Sequence, residues 1–346
     1  MGKLDALMRT YLSHPDICAD FIQRFVFNNS LSVTKDMLQI LDSRQSSLVN
    51  RHHFTKERYR DLFISVRDKT FCLVAGIENQ TDLSNIMPVR SMGYDVSHYE
   101  QQIRTLKHQH RLAGDLSAGD FLSGIAADKK LTPVITLVFY YGEEPWDRST
   151  KLWDMLDFSG IGPYTRSLVA DYRINLIDIH KIEDTCQFKT PLGILIGFMK
   201  IRKYKDKLKN YIKDHSDFFS HISSDLFDLL CALMHSQWLI DAKDHYFNNK
   251  GEFDMCTGMK DWIAEVETQS LAQGLAQGMT QGFAQGKAIG LAEGKNIGLI
   301  QGQDNGLRLA CLIMEEAHDG MTPAAIAEKL QIDSGIVSMI LKAMGI

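Results

Sequence analysis

Alternating apolar positions predict a β-hairpin within residues 60–80. Residues 60–67 alternate with Leu62, Ile64 and Val66 on one face, which is typical of a β-strand. Residues 70–80 continue as a second strand. Residues 68–69 lie between the two runs, and their position predicts a two-residue turn.

The predicted register brings acidic residues together. It places Asp61 opposite Gly76 and makes Glu78 the diagonal neighbour of Asp61, about 7–8 Å away between Cα atoms. Opposed residues share a face, so we expect Asp61, Glu78 and Gln80 to project to the same side. Gly76 leaves space between them. Two carboxylates beside a strand suit Mg²⁺, which takes one or two protein carboxylates and completes its shell with water and phosphate. The alternative is two polar residues at the end of a sheet, without chemistry.

Other runs predict a mixed α/β fold. A nearly continuous apolar run indicates a strand covered on both faces, and a further strand follows it. No proline occurs between Pro191 and Pro323, which favours helices in the second half. The predicted helices cover residues 15–27, 34–41, 92–112 and 191–214, and the later strands cover residues 133–141 and 172–179.

Composition limits the possible classes of protein. The 346 residues suffice for one α/β domain of about 230–260 residues plus a smaller part. A net charge of −5 with 45% apolar residues indicates a soluble protein, so contact with DNA would need a local basic patch. We expect no membrane span and a cytoplasmic location. Six cysteines without metal-binding spacing are expected to be buried reduced thiols.

Six segments resemble a known family in the order in which they occur. Residues 57–61 read ERYRD, residues 77–82 read IENQTD, and an Arg90 to Tyr94 step opens the next helix. The remaining segments are residues 131–146, 174–179 and 188–207. Together they resemble the Rpn family of recombination-promoting nucleases and transposases, in the PD-(D/E)XK nuclease superfamily.

That resemblance implies the fold and its divisions. It implies an α/β PD-(D/E)XK restriction-endonuclease-like core with a helical C-terminal extension. The nuclease-like domain would span residues 1–265, with its core in residues 1–185 and a helical completion in residues 186–265.

The resemblance also implies the roles of individual residues. Asp61 and Glu78 would be metal ligands, with the backbone carbonyl of Asn79 as a third. Gln80 stands where the wider superfamily has lysine, so it could orient water only through neutral hydrogen bonds. Asp5 is a possible additional acid. The implied cofactor is Mg²⁺ or another divalent cation.

Two basic stretches are candidates for contacts with the DNA backbone. Residues 200–214 carry seven Lys or Arg against two Asp, and residues 104–111 lie on the helix that follows the acidic strand. An ordinary solvated helix is the alternative for the first stretch. The candidate residues are Arg104, Lys107, Arg111, Lys200, Arg202 and Lys203.

Residues 266–307 contain a strict four-residue repeat of glycine. Each glycine costs an isolated helix about 1 kcal/mol relative to alanine, so close packing would have to offset the repeat. We expect a helical spacer or self-association segment, with homo-oligomerisation through this C-terminal helical part. A flexible linker and a docking site for another protein are the alternatives. The glycines are Gly274, Gly278, Gly282, Gly286, Gly290, Gly294, Gly298, Gly302 and Gly306.

Residues 308–346 predict a small helical element that resembles a helix-turn-helix. Thr322 followed by Pro323 predicts a helix start, and Gln331 occupies the turn position usually held by glycine. The second helix offers few polar groups for bases or phosphates, which favours packing between helices over DNA contact.

The sequence therefore predicts a metal-dependent DNA endonuclease linked to recombination or mobile elements. The main alternative is a non-cleaving DNA-binding or oligomeric interaction protein. A transcriptional regulator that acts through the terminal helix pair is a third possibility.

Overall fold

A five-stranded mixed sheet organises the first part of the chain. The computed structural model describes residues 2–41, 61–114, 120, 122–248 and 250–345. Its strands are β1 (Leu38–Ile40), β2 (Leu62–Arg67), β3 (Cys72–Gln80), β4 (Val134–Tyr140) and β5 (Asn175–Asp178). They lie in chain order across the sheet. β1, β2 and β3 pair antiparallel, whereas β3, β4 and β5 pair parallel. The predicted α/β class is confirmed.

Helices make up most of the remaining described chain. They are α1 (Lys3–Leu12), α2 (Pro15–Phe25), α3 (Met87–Ala113), α4 (Pro163–Ser167), α5 (Leu192–Ile201), α6 (Lys205–Asp214), α7 (Ser216–Phe219), α8 (Ser224–Leu233), α9 (Gln237–Asp241), α10 (Met255–His318), α11 (Pro323–Leu330) and α12 (Ser334–Ala343). The segment that follows β5 is mainly helical, as the absence of proline predicts. The predicted helix over residues 191–214 is two helices, because residues 202–204 separate α5 from α6.

The predicted helix over residues 34–41 is wrong. A single 3₁₀ turn covers Lys35–Met37, and β1 follows it. β1 pairs with the open edge of β2, where Leu38 lies opposite Val66 and the N–H of Leu41 donates to the carbonyl of Phe63 at 2.8 Å. Pairing with a neighbouring strand outweighs local helix propensity here.

The predicted hairpin register is also wrong, by two residues. The pairs are Arg67 with Cys72 and Phe63 with Gly76, so the loop has four residues rather than two. The N–H of Asp68 donates to the carbonyl of Phe71 at 2.9 Å and closes this loop. Tight two-residue turns favour Asn-Gly or Asp-Gly, which this loop lacks. A shift by two keeps every side chain on its predicted face.

Both faces of the sheet are covered. On one face Ile64, Ile77 and Phe139 lie in the main core, which α1, α2, α5 and α8 complete. On the other face α3 packs against the sheet, and the ring of His98 lies 4.7 Å from the ring of Phe63. The apolar run in β4 is buried on both sides, as its pattern predicts.

The chain divides into two compact units, Met1–Ala264 and Glu265–Ile346. In the first unit, Met255 and Met259 at the start of α10 belong to the main core. In the second unit, Ile313 of α10 packs against Ile326 of α11 and Val337 of α12. No helix in the described ranges has the length and apolar composition needed to cross a bilayer.

The four-residue repeat lies on the exposed surface of α10. We call residues 271–307 the tetrad segment. Apart from the adjoining residues and the local helix backbone, no described atom lies within 4 Å of a Cβ placed on any of its nine glycines. Its large apolar side chains are exposed too, including Leu271, Met279 and Phe283.

The terminal helix pair has the predicted start and turn, and a further cap at its second helix. The hydroxyl of Thr322 accepts a hydrogen bond from the N–H of Ala325, and Pro323 opens α11. Gln331 has φ +55°, so it supplies the left-handed residue that the turn requires. Asp333 caps α12 through the N–H of Gly335.

The expectation for the cysteines is partly wrong. All six are free, and Cys18 and Cys231 are buried. Cys186 and Cys311 are exposed, because they lie on surface segments rather than in the core.

Candidate active site

The acidic residues meet where β2 begins and β3 ends. Asp61 directly precedes β2, and one carboxylate oxygen of Asp61 accepts the backbone N–H of Asn79 at 2.7 Å. Leu62 pairs with Ile77, so the same register continued by one residue places Asp61 opposite Glu78. The shared face is as predicted, but the two acids are direct rather than diagonal neighbours. We call Asp61, Glu78, Gln80, Arg90 and Tyr94 the sheet-end site.

Glu78 is buried and bound by two side chains of α3. Only 1% of Glu78 is exposed. Its Oε1 forms an ion pair with the Nη2 of Arg90 and accepts a hydrogen bond from the hydroxyl of Tyr94 at 3.4 Å. The Nε of Arg90 donates to the same hydroxyl at 2.9 Å. Residues four apart on a helix share a face, so α3 presents Arg90 and Tyr94 together.

Burial and charge shift the pKa values of this group. Burial lowers the pKa of Arg90, but the nearby Glu78 carboxylate and the hydrogen bond to Tyr94 outweigh burial, so the pKa rises overall. Burial, followed by the charge of Glu78, raises the pKa of Tyr94. Arg90 therefore carries a positive charge beside the carboxylate.

Asp61 is a carboxyl group in a partly dry environment. Burial raises its pKa, and the charge of Asp5 raises it further. The hydrogen bond from the N–H of Asn79 and the charges of Arg90 and Arg9 act in the opposite direction without cancelling the rise.

Asp5 lies near the predicted acids. One of its carboxylate oxygens accepts a hydrogen bond from the hydroxyl of Tyr141 at 3.0 Å, and the other accepts the N–H of Gly2 at 3.2 Å. Burial raises the pKa of Tyr141 well above its usual range, and Asp5 and Asp61 add to the rise. Tyr141 directly follows β4, so α1 and the end of β4 bring Asp5 towards Asp61.

Gln80 and Asn79 point to opposite faces of β3. The Nε2 of Gln80 donates to the carbonyl of Asp82 at 2.5 Å, so the amide is held along the loop that leads to α3. The side chain of Asn79 is buried on the other face, and neither its oxygen nor its nitrogen has a hydrogen-bond partner among the described residues.

The basic candidates within residues 200–214 have different surroundings. The Nη2 of Arg202 donates to the carbonyl of Tyr141 at 3.0 Å, and its Nε and Nη1 are buried without a hydrogen-bond partner among the described residues. Lys200 donates to the carbonyl of Ile182 at 2.5 Å. Lys203 pairs with Glu143 and with Glu144.

The candidates on α3 lie farther along the helix. Arg104 is fourteen residues after Arg90, which corresponds to about 21 Å along an α-helix. Arg104 also pairs with Glu100 at 3.5 Å. Lys107 and Arg111 are exposed and lie farther still. These three residues cannot contact a phosphate that is bound at the sheet-end site.

The oxygen donors present fit a hard divalent cation. Asp61 and Glu78 supply carboxylates, and Asn79 directs its N–H towards Asp61. The N–H and C=O of one strand residue point to the same neighbouring strand, so the carbonyl of Asn79 points that way too. No group of three or more His, Cys, Asp or Glu side chains among the described residues has metal-binding geometry. Two carboxylates are enough for Mg²⁺, which retains several waters.

Sequence reasoning gave no role to Arg90, Tyr94 or Tyr141. The available signal for the first two was their spacing of four residues in the first turns of the helix that follows the acidic strand. Tyr141 gave no comparable signal, because its contact with Asp5 joins residues 136 positions apart.

The comparisons with known proteins identify a family. No curated protein and no solved structure matches the chain. The family described as "Putative transposase, YhgA-like" matches residues 3–225, which include the whole sheet and every residue of the sheet-end site. The chain therefore belongs to the YhgA-like family of putative transposases.

Proposed function

We propose that the protein is a divalent-metal-dependent DNA endonuclease with a PD-(D/E)XK-type core, acting in recombination or in the movement of mobile elements. Membership of the transposase family indicates a function related to mobile elements and an interaction with DNA. The observation that carries the proposal is the placement of Asp61 opposite Glu78 at the end of the sheet.

The proposed chemistry is hydrolysis of a phosphodiester bond. Asp61, Glu78 and the backbone carbonyl of Asn79 would hold Mg²⁺ or another divalent cation. When bound, such an ion lowers the pKa of a water molecule and neutralises charge that develops on the phosphoryl oxygens. Gln80 orients water through its amide and adds no charge, unlike a lysine at the same position. Asp5, as an additional acid, adds negative charge near Asp61.

The basic residues differ in the roles that we assign to them. Arg202 lies beside Tyr141 with its Nε and Nη1 buried, so its guanidinium would have to turn outward to contact DNA near the acids. Arg104, Lys107 and Arg111 would contact the backbone farther along the duplex, since exposed cations bind phosphates without reading sequence. Lys200 and Lys203 would first have to leave their present partners.

One observation favours the alternative of a non-cleaving DNA-binding protein. Arg90 forms an ion pair with Glu78, and a guanidinium in that position competes with a metal ion for the same oxygen. DNA binding that needs no divalent cation and leads to no cleavage would support this alternative.

We also propose that the tetrad segment mediates homo-oligomerisation. Its apolar side chains and its glycines are exposed, and a second copy of the same helix would cover both. Six free cysteines suit a reducing compartment, so we place the protein in the cytoplasm.

A plasmid-nicking assay tests the proposed activity. We expect nicking of supercoiled DNA with Mg²⁺ and none with EDTA. Asp61→Asn and Glu78→Gln should each reduce the rate about a hundredfold or more, because each removes a charged ligand. Asp128→Asn, which alters an exposed carboxylate outside both the sheet-end site and the tetrad segment, is the matched control. Full nicking by both site variants, each shown to be folded by circular dichroism, would exclude the assigned site.

A further inference from the structure

The ion pair between Arg90 and Glu78 needs an explanation in a site that is proposed to hold a cation. A buried carboxylate is stable only with a positive or hydrogen-bonding partner. Arg90 supplies this partner to Glu78, which is 1% exposed, and Tyr94 fixes the guanidinium through its Nε at 2.9 Å.

A divalent cation would compete with Arg90 for Glu78. The Oε1 of Glu78 forms the ion pair with Arg90 and accepts a hydrogen bond from Tyr94. A cation bound by Glu78 would need the same negative charge. A guanidinium and a divalent cation repel each other at short distance in a partly dry site. The two positive partners are therefore alternatives for one carboxylate.

Arg90 has a path out of the site. Its side chain is 39% exposed, whereas the side chain of Glu78 is 2% exposed. A guanidinium turned towards solvent can bind a phosphate with two parallel hydrogen bonds. A phosphate held through such an ion would lie close to Glu78 and so within reach of Arg90, since Mg²⁺ takes substrate oxygens directly.

We propose that Arg90 is an exchangeable internal counter-ion of the sheet-end site. It holds Glu78 while no divalent cation is bound. When a cation binds Glu78, the guanidinium of Arg90 turns outward and binds a phosphate of the DNA. The inference rests on the proposed function and adds a regulatory step to it, because cation and DNA then bind cooperatively.

Calcium binding without DNA tests the exchange apart from catalysis. Isothermal titration calorimetry would compare the wild-type chain with Arg90→Gln and Tyr94→Phe. Arg90→Gln should bind Ca²⁺ about tenfold more tightly or better, because the competing charge is gone. Tyr94→Phe should bind it a few-fold more tightly, since Arg90 loses the acceptor of its Nε. Arg148→Gln, which also removes an arginine paired with an acidic side chain but lies outside the sheet-end site, is the control and should bind Ca²⁺ as the wild type does.

DNA affinity supplies the second measurement. Ca²⁺ should tighten DNA binding by the wild-type chain about tenfold or more, and Arg90→Gln should lose that gain. Arg90→Lys should retain near-normal Ca²⁺ affinity but only part of the gain, because lysine keeps the charge and lacks the planar fork.

The outcomes separate the inference from the proposed function. Unchanged or weaker Ca²⁺ binding by Arg90→Gln would overturn the exchange even if the wild-type chain cleaves DNA. If Arg90→Gln fails to fold, Tyr94→Phe and Arg90→Lys decide the question in the same way. Loss of the proposed function has a different signature, in which Ca²⁺ binding by the wild-type chain is absent or is unaffected by Asp61→Asn.

Discussion

The sheet-end site and the tetrad segment both depart from the usual distribution, in which charged side chains are exposed and apolar side chains are buried. In the first, the charged residue Glu78 is buried beside strands that are covered on both faces. In the second, large apolar residues such as Phe283 are exposed along α10. Charged residues are seldom buried without a partner, and contiguous apolar surface is seldom left exposed.

The contrast shows that the two regions depend on different partners. The buried carboxylate of Glu78 already has an ion-pair partner, Arg90, within the first unit. The exposed apolar side chains of the tetrad segment do not belong to the apolar cluster of the described second unit. Chemistry is therefore expected in the first region and association in the second.

Two phenylalanines test this contrast with the same substitution. Phe139→Ala removes a fully buried ring that contacts Phe21 and Tyr141, and it should lower the free energy of unfolding by about 3–5 kcal/mol. Phe283→Ala removes a ring that is 76% exposed, and it should change stability by less than about 0.5 kcal/mol in a monomer. Urea denaturation measures both. A large loss of stability from Phe283→Ala at low protein concentration would show that this ring has a partner within its own chain.

Replacement of Gly282, Gly286 and Gly290 together by leucine sets helix propensity against close packing. Leucine is a better helix former than glycine by most of 1 kcal/mol per site, so propensity alone stabilises the helix by about 2 kcal/mol in total. If two copies pack through the glycines, the leucines should clash and give smaller oligomers. Light scattering after size exclusion would measure assembly, and circular dichroism would measure helicity.

The triple replacement by alanine is the control for that experiment, because alanine also favours helix but adds only one methyl group per site. A chain truncated after Glu267 gives the reference size without the tetrad segment. Equal subunit counts for the truncated and intact chains would remove the tetrad segment as the oligomerisation element.

Gln80 should matter less than the acids. Gln80→Ala should slow nicking by about tenfold, since a neutral orienting group contributes less than a charged ligand. Gln80→Lys should keep or raise the rate, because lysine restores the charge that the wider superfamily has there. Single-turnover nicking measures both rates. A loss from Gln80→Ala as large as that from Asp61→Asn would contradict the assigned roles.

The smallest expected effect is the pH dependence due to Asp61. Its pKa is raised in the folded chain, mainly by burial, so the folded state binds the proton more tightly than the unfolded state. The contribution of Asp61 to stability therefore falls as pH rises above about 4. Asp61→Asn should be more stable than the wild type near pH 7, and the difference should shrink towards acidic pH.

Urea denaturation of both proteins between pH 4 and pH 8 would measure this difference. Asparagine can still accept the N–H of Asn79, so the substitution changes mainly the charge. A difference that stays constant over the pH range would show that Asp61 titrates as an ordinary carboxyl group.

Local patterns predicted the elements better than the contacts between them. Alternation placed Asp61 and Glu78 on one face, and that placement survived a register error of two residues because strand periodicity is two. The sequence did not predict β1, which depends on the free edge of β2. It gave Arg90 no role, since the ion pair with Glu78 forms only when α3 packs onto the sheet.

The four-residue period of the tetrad segment has a consequence for how its length can change during evolution. Inserting or deleting one tetrapeptide such as residues 271–274, LAQG, leaves every column of the repeat intact. Each such step lengthens or shortens the helix by about 6 Å and rotates the remaining turns of the helix by about 40°. The segment can therefore vary in length in discrete steps while its surface chemistry stays the same.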